Sequence, residues 1–467
     1  MKKNLWILTE ERPKREVVRI IINKFMTDSK ITGFIDTVRI LPILTDERDF
    51  SFTYEVLGVT SNKFNQIFIK IVSGKSSFVD YLVFFQEKLP SDNDTPIYAI
   101  EETKTDDGES RNTGIFQRAS KFVFIDIFYP DNKIIKIMLY NLKIKQKEKQ
   151  TETNIFGTRC LLTLGVEILG KEVDKKINIP FINLDELINY KNSMRNPPKG
   201  NIPIKIEKSR KNIKISGRLF KSGSLSHDPN IGALSLISAT IRKLCWKNKI
   251  IITEHGLKQK HIDANSKFLI IASKLNIEFE TLTFNKSIVS IDSLYWYYES
   301  KGEKLATIFI DIIVESFTYG YSIFDNHAGC EKGYFLNSCG DVIPLKKYID
   351  REKYKKGDKS QIIHIPDLIL IDIESKKIIN IEGKTYSNRN KGIKELDNFD
   401  AIENLYITPN YPKFKIIRKV VLFGSEETKL YEIEVGFLLN ENGKMILGIK
   451  APKLFKDAIK NLIDFYQ

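Results

Sequence analysis

Two stretches of this chain carry the same three charged residue types, Asp, Glu and Lys, at the ends of apolar runs. In each stretch an Asp ends an apolar run, and a Glu-x-Lys triplet follows on the next apolar run. Burying such charges at the end of a core strand is costly unless a metal ion or another partner compensates. The pattern therefore predicts two adjacent strands with a shared polar end, twice in one chain. The residues are Asp80, Glu102 and Lys104 in the first copy, and Asp367, Glu382 and Lys384 in the second.

The residue types of each copy suit phosphodiester hydrolysis. Side chains at i and i+2 of a strand share a face, so the Glu and the Lys of each triplet are expected to project together. Two carboxylates can hold Mg²⁺, and a lysine beside them can orient or deprotonate the attacking water. The Asp-to-Glu separations of 22 and 15 residues each suit one strand, a turn and the next strand.

Glu-x-Lys alone is a weak signal, because alternating charges on a strand most often form an exposed ladder. Only two of the five triplets in the chain end an apolar strand, follow an Asp-bearing apolar strand and precede a predicted helix. The alternative of two exposed charge ladders stays open. The five triplets begin at Glu102, Glu299, Glu374, Glu382 and Glu427.

The spacing of apolar residues predicts the order α-β-β-β-α-β, give or take one strand, in the first block and α-β-β-α-β, with room for another early strand, in the last. The first block is predicted as helix 13–25, strands 52–59, 66–71, 77–86 and 96–104, helix 113–121 and strand 122–129. The last block is predicted as helix 303–317, strands 362–373 and 377–385, helix 390–403, and strands 405–408 and 415–423. The two blocks share an order of elements rather than sequence identity.

The middle of the chain is basic and less regular. Residues 199–221 carry eight basic residues among isoleucines at period two, which predicts a basic strand or hairpin. This segment is either a solvated sheet face or an arm that contacts phosphates. A helix over 183–194, capped by Asn183, is predicted before it. The expected domains are 1–145, a connecting region 146–225, a small α/β module 226–290, and 291–467.

The composition favours a polyanionic partner in a reducing compartment. The 467 residues carry a formal net charge of +14 and a pI of about 9.2, which favours nucleic acid over membrane. No apolar run reaches the length of a spanning helix, and the N-terminal sequence turns charged too early for a signal peptide. The four cysteines are sparse and irregular. We expect a cytoplasmic protein with no membrane partner.

The motifs resemble those of the PD-(D/E)XK nuclease superfamily, the fold of most type II restriction endonucleases. The second copy has the literal Pro366-Asp367 and Glu382-Gly383-Lys384. The first copy has Val79 before its Asp, in place of the proline that such families often lack. The resemblance covers residues 10–130 and 300–425 and leaves the middle third unexplained.

The resemblance implies a mixed α/β (α+β) protein with two restriction-endonuclease-like αβββαβ cores, joined by the basic middle region and its α/β module. In such nucleases the Asp and Glu bind Mg²⁺ and the Lys assists the water. A Glu on the first helix sometimes adds a metal contact, and Glu16 and Glu315 are the candidates for that role. The implied activity is Mg²⁺-dependent type II restriction of double-stranded DNA, with one site for each strand. A companion DNA methyltransferase is expected in the same system, but not in a stable complex.

The segments after both motifs carry residues suited to DNA contact. Each segment leads a predicted helix, whose N-terminus favours a phosphate. The alternative for both is an ordinary polar loop with a helix cap. The candidate DNA-binding residues are Arg111, Asn112, Gln117 and Arg118 after the first motif, and Asn388, Arg389 and Lys391 after the second.

Two further functions remain open from the sequence. A repair or transposon-end nuclease would use the same fold and metal chemistry on a different DNA substrate. A non-catalytic, basic DNA-binding protein would carry the charged triplets as surface ladders and would bind DNA in a salt-sensitive way.

Overall fold

The protein is a mixed α/β protein. The computed structural model describes residues 3–45, 49–74, 78–103, 114–130, 133–141, 151–194, 205–216, 229–262, 267–283, 295–300, 302–326, 333–339, 341–424 and 430–467. Within these ranges no helix has the length and apolar character needed to cross a membrane.

Strands and helices follow one another along most of the described chain. In chain order the strands are β1 (Lys3–Thr9), β2 (Gly33–Leu44), β3 (Phe50–Ser61), β4 (Phe64–Gly74), β5 (Tyr81–Gln86), β6 (Tyr98–Thr103), β7 (Ile135–Tyr140), β8 (Val166–Leu169), β9 (Ile206–Lys208), β10 (Asn212–Ser216), β11 (Lys249–Thr253), β12 (Ile277–Phe279), β13 (Trp296–Tyr298), β14 (Tyr321–Asp325), β15 (Tyr334–Leu336), β16 (Val342–Pro344), β17 (Leu368–Asp372), β18 (Lys377–Thr385), β19 (Lys415–Phe423), β20 (Val435–Leu439) and β21 (Met445–Leu447).

The helices range from single turns to four turns. They are α1 (Arg15–Asp28), α2 (Gly114–Phe128), α3 (Glu152–Thr163), α4 (Leu184–Ser193), α5 (Pro229–Lys243), α6 (Gln259–Ile262), α7 (Lys267–Lys274), α8 (Glu303–Phe317), α9 (Arg351–Lys355), α10 (Arg389–Glu395), α11 (Asp400–Ile402), α12 (Thr408–Asn410) and α13 (Lys453–Tyr466). Turns of 3₁₀-helix lie at Lys359–Gln361, Tyr386–Asn388 and Leu396–Phe399, and a π-helical turn lies at Glu403–Ile407.

The chain divides into two compact units that do not follow the four segments expected from the sequence. The first, unit 1, combines the N-terminal 73 residues with the C-terminal part of the chain, and unit 2 takes most of the residues between them. Unit 1 comprises Met1–Ser73, Phe85–Leu89 and Tyr298–Gln467, and unit 2 comprises Gly74–Phe84 and Pro90–Tyr297.

Unit 1 contains a mixed sheet in the order β14-β17-β18-β19-β20-β21. Strands β14, β17 and β18 are antiparallel neighbours, and β18, β19 and β20 run parallel. Strands β2, β3 and β4 form an antiparallel set, and β1 pairs with β4 in parallel.

Helix α8 lies against the sheet of unit 1, and its first turn lies beside the candidate site of that unit. Ten consecutive residues of α8, from Leu305 to Val314, are buried, because it contacts β18 and β19 and also β2. A helix covered on several sides is apolar around most of its circumference. The predicted helix 303–317 is confirmed to the residue.

Unit 2 contains a second candidate hairpin and a smaller sheet. Strand β5 pairs with β6 in antiparallel orientation through Tyr81–Val83, and β6, β7 and β8 are parallel neighbours. The smaller sheet has the order β12-β11-β10-β9. Helices α2 and α5 pack closely, because Gly232 of α5 has no side chain where a Cβ would meet the Phe116 carbonyl oxygen at 2.7 Å.

Several local predictions are confirmed. The predicted helix 13–25 is α1, and Asn183 caps α4 by accepting a hydrogen bond from the Glu186 amide at 2.8 Å. The described part of the basic segment, residues 205–216, forms a hairpin, since β9 and β10 are antiparallel neighbours.

Two predicted strands are wrong. Residues 122–129 lie almost entirely in the second half of α2, where Phe122, Val123, Phe124 and Ile125 are all buried. These four consecutive buried apolar residues leave no polar position in that turn of the helix, so the run resembles a core strand in the sequence. Residues 405–408 lie mostly in the π-helical turn, where Glu403 is held by hydrogen bonds from Asn380 and Arg418. No element is predicted at strands β1, β2, β7, β8, β13, β15, β16, β20 and β21 or at helices α3, α6, α9 and α13, and β14 takes the place of the additional early strand for which the last block left room.

Candidate active sites

The second Asp–Glu-x-Lys set comes together at one end of the β17–β18 hairpin. Leu368, the first residue of β17, lies opposite Ile381 of β18. Because the strands are antiparallel, Asp367, which precedes Leu368, lies beside Glu382, which follows Ile381. The Gly383 amide donates a hydrogen bond to Asp367 Oδ2 at 2.9 Å. The hairpin register therefore brings the two carboxylates to the same strand end.

Lys384 forms ion pairs with two carboxylates of this cluster. Its Nζ contacts Glu382 Oε1 and lies 3.1 Å from Glu395 Oε2, which α10 contributes. The side chains of Lys384 and Glu382 are only 13% and 12% exposed, so these interactions are weakly screened. Burial alone would lower the pKa of Lys384, but its hydrogen bonds to Glu382 and Glu395 raise that pKa overall. The lysine is therefore held as a cation.

The carboxylates repel one another. Burial and the neighbouring Asp367 carboxylate raise the pKa of Glu382 well above its ordinary value, although Lys384 opposes the rise. Burial also raises the pKa of Glu303, the first residue of α8, and Asp367 adds to that rise. Raised carboxyl pKa values are typical of places where a bound cation would stabilise the charged form of the carboxylates.

Glu303, rather than the expected Glu315, is the helix carboxylate of this cluster. Glu315 lies twelve residues further along α8, about 18 Å away at 1.5 Å per residue. There it pairs with Arg12 and, at 3.3 Å, with Arg15. The sequence signal for Glu303 was its position as the first helical residue. Glu16, the candidate of the first block, lies on α1 in unit 1, whereas Asp80 and Glu102 lie in unit 2.

Gly383, the middle residue of the second triplet, permits close packing on α8. A Cβ at this position would lie 2.7 Å from Thr307 Cγ2 and 3.4 Å from Asp367 Oδ2. The glycine therefore lets the hairpin end approach the first turns of the helix that carries Glu303.

The first set is only partly brought together. The Glu102 amide donates to Asp80 Oδ2 at 2.6 Å, as the Gly383 amide does to Asp367. The Glu102 side chain, however, accepts hydrogen bonds from Asn141 Nδ2 at 3.0 Å and from the Tyr81 hydroxyl at 3.4 Å. Lys104 lies outside the described residues. The structure thus joins Asp80 to the backbone of Glu102 rather than to its carboxylate.

Glu101 and Lys121 lie beside Asp80, and the sequence analysis did not single them out. Glu101 is 2% exposed, and Lys121 Nζ of α2 donates to it at 2.7 Å and lies 3.7 Å from Asp80 Oδ1. Burial and the Asp80 carboxylate raise the pKa of Glu101 to about 8, against the opposing effects of Lys121 and Arg118. The available signal was the alternation of strand faces, which separates Glu101 from Glu102.

The candidate DNA-binding residues after the second set differ in how firmly neighbouring residues hold their side chains. Arg389 donates from Nε to Glu432 at 2.9 Å and lies over the Tyr386 ring, so its guanidinium is largely held in place. Asn388 is exposed and makes no helix-capping hydrogen bond, but its amide bonds to Thr385. Lys391 is 70% exposed and lies 3.6 Å from Glu395.

After the first set, Gln117 and Arg118 lie in the first turn and a half of α2. Gln117 is exposed and Arg118 is half-buried. Arg118 Nη1 is buried, and within the described ranges it has no hydrogen-bond partner. Arg111 and Asn112 lie outside the described residues.

The basic hairpin is mostly paired with acids. Lys208 lies 2.7 Å from Asp185, Lys205 lies 2.8 Å from Glu207, and Lys214 lies 3.4 Å from Glu280. Arg210 and Lys211, at the turn, are exposed. A solvated, charge-balanced sheet face describes the strands of this hairpin better than a continuous phosphate-binding arm.

The donor set of the second site fits Mg²⁺. Within the described part of the chain, no three His, Cys, Asp or Glu side chains are grouped as a preformed metal centre. Mg²⁺ keeps several waters and is commonly bound through one or two carboxylates. The Asp367–Glu382 pair, in which burial and then the Asp367 carboxylate raise the pKa of Glu382, meets that requirement.

In comparisons with known proteins, the chain matches no protein-family profile, no curated protein and no solved structure.

Proposed function

We propose that this protein is a Mg²⁺-dependent endodeoxyribonuclease of the type II restriction kind, acting on double-stranded DNA in the cytoplasm. The observation that carries the proposal is the meeting of Asp367, Glu382 and Lys384 at one end of the β17–β18 hairpin. An exposed charge ladder would leave these side chains in water. Instead, Glu382 and Lys384 are mostly buried against each other.

The arrangement of elements in unit 1 also supports the proposal. Helix α8 is followed by the antiparallel strands β14, β17 and β18, then by α10 and the parallel strand β19, apart from the short β15, β16, α9, α11 and α12 and the single 3₁₀ and π turns. This is the αβββαβ order of the PD-(D/E)XK core that the sequence resembles. The catalytic residues would lie where β17 begins and β18 nears its end, beside the start of α8.

Each residue of the cluster has a chemical task in this proposal. Asp367 and Glu382 would hold Mg²⁺, and Glu303 would add an acceptor for one of its waters. The bound ion supplies charge neutralisation at the phosphate and a water of lowered pKa. Because its pKa is raised, Lys384 remains a cation. It therefore orients the water and offsets phosphate charge rather than accepting a proton.

Digestion of phage DNA by the purified protein with Mg²⁺ tests the function. The wild-type protein should give discrete fragments, and a companion methyltransferase should protect the same sites. Asp367→Asn and Lys384→Met should slow cleavage by about 10²-fold or more, the range of positioned acid–base and electrostatic groups. Lys377→Met, at the far end of β18, is the matched control and should cut normally.

Three results separate this function from its alternatives. A continuous smear would indicate a non-specific nuclease, and cutting limited to branched or transposon-end DNA would indicate the repair or transposition class. Salt-sensitive binding without any Mg²⁺-dependent cleavage would contradict the proposal and leave a DNA-binding protein.

A further inference from the structure

We infer that unit 2 contains a second metal-dependent catalytic centre, built from Asp80, Glu101 and Lys121 rather than from the Glu102-Thr-Lys104 triplet. The two carboxylates would bind a divalent cation. The substrate of this centre would be a phosphodiester of the second DNA strand. The inference rests on the proposed function, since it assigns the residues of a second centre for the same reaction.

The strand register makes Glu101 the counterpart of Glu382. Leu368 pairs with Ile381 in unit 1, and Tyr81 pairs with Ile100 in unit 2. In both hairpins the residue before the first position is the aspartate, and the residue after the second is a glutamate. The triplet in the sequence is therefore displaced by one residue from the position that the fold makes equivalent.

The backbone hydrogen bonds give the same alignment. Asp367 Oδ2 accepts from the amide of the residue after Glu382, and Asp80 Oδ2 accepts from the amide of the residue after Glu101. The distances are 2.9 and 2.6 Å. Glu102 thus corresponds to Gly383, which has no side chain to offer a metal.

Both glutamates also face the helix that follows their strand. Glu382 and Lys384 meet Glu395 of α10, and Glu101 meets Lys121 of α2. Successive side chains of a strand point to opposite faces, so Glu102 faces away from α2 and bonds to Asn141 and Tyr81. In unit 1 the lysine beside the glutamate, Lys384, lies on the strand, whereas in unit 2 the corresponding lysine, Lys121, lies on the helix.

Arg118 adds a candidate contact for the phosphate. It precedes Lys121 by three residues on α2, so the two side chains share a helix face. Its charge lowers the pKa of Glu101, which places it in the electrostatic reach of the centre. The buried Nη1, without a partner within the described ranges, has a donor to offer a phosphate oxygen.

Plasmid nicking tests the assignment on the full-length protein. Wild-type protein should linearise supercoiled plasmid, whereas Asp367→Asn should leave one defined strand uncut. Glu101→Gln and Lys121→Met should each leave the other strand uncut, with about 10²-fold slower cleavage of that strand. Glu102→Gln, one residue away on the opposite strand face, should linearise at the wild-type rate.

A metal-binding measurement avoids dependence on turnover. In the Asp367→Asn/Glu382→Gln background, Mn²⁺ should still raise the Tm through the centre in unit 2. Adding Glu101→Gln should remove that rise, and adding Glu102→Gln should preserve it. Glu101→Gln keeps the side-chain volume, so an unchanged metal-free fold can be verified by circular dichroism.

The two possible failures are distinguishable. If the wild-type protein cuts but Glu101→Gln linearises plasmid normally, or Glu102→Gln becomes a nicking enzyme, the assignment is overturned while the proposed function stands. If the wild-type protein cuts no DNA under any condition, the proposed function fails and this assignment fails with it.

Discussion

The two hairpins in this protein share an aspartate anchored to the neighbouring strand but differ in where the lysine lies. In unit 1 the acid and the lysine are two residues apart on β18. In unit 2 the acid is on β6 and the lysine is on α2, twenty residues later in the chain. A site of this kind is therefore defined by strand register and by the facing helix, and spacing in the sequence finds it only when the lysine stays on the strand.

The largest expected effect comes from the aspartates, which the two hairpins share. Asp80→Asn and Asp367→Asn should each nick one strand, opposite for the two variants, because each removes a metal-binding charge while keeping the acceptor for the backbone amide. The double variant should cut both strands about 10²-fold more slowly than the wild type, because each site acts on its own strand. Strand-resolved mapping of the nicks gives the measurement.

Identical nick positions for the two single variants would break the comparison. So would wild-type linearisation by either one, since each unit is assigned one strand. A useful control is Asp126→Asn on α2, whose carboxylate pairs with Lys136 rather than with the site and which should cut both strands.

The stability of the metal-free protein should depend on pH through Glu101. Its pKa rises on folding from an ordinary value of 4.5 to about 8, chiefly through burial. The protonated carboxyl thus favours the fold, and this contribution is complete below 4.5 and is lost as the pH rises through 8. Tm measured from about pH 5 to about pH 9 should fall more steeply for the wild type than for Glu101→Gln.

A divalent cation should oppose that loss. Because it competes with protons for the carboxylates, added Ca²⁺ should raise the Tm more at high pH than at low pH. Glu102→Gln should keep the wild-type profile with and without Ca²⁺. An equal Ca²⁺ effect at all pH values in the wild type would argue against carboxylate binding.

The middle residue of each triplet gives a smaller, steric contrast. Gly383→Ala should destabilise unit 1 by about 1–3 kcal/mol, because the new Cβ would lie 2.7 Å from Thr307 Cγ2. The double variant Gly383→Ala/Thr307→Ser removes that methyl group and should recover part of the loss. Urea unfolding measures both. Equal stability of Gly383→Ala and wild type would show that the hairpin end has room to shift.

The candidate site of unit 1 could be predicted from the sequence in more detail than the candidate site of unit 2. The period of the apolar residues predicted helix α8, and the apolar run that carries Glu-x-Lys predicted strand β18. Lys121 was hidden because α2 continues to Phe128, whereas the apolar run after residue 121 reads as a strand. Glu101 was hidden because hairpin register is set by pairing between strands, which a single run of residues does not encode.

The smallest expected effect compares the two arginines that follow the two hairpins. Arg118 has a buried Nη1 without a partner within the described ranges, whereas Arg389 is paired with Glu432. Arg118→Ala should therefore weaken DNA binding uniformly across sequences and reduce the salt slope of log K by about 1. Arg389→Ala should change the slope less, because Glu432 already neutralises that charge. Fluorescence-anisotropy titrations with Ca²⁺ at several salt concentrations measure both slopes without cleavage. A larger slope change for Arg389→Ala would mean that Arg389 leaves Glu432 for phosphate, and would reverse the order of the two contacts.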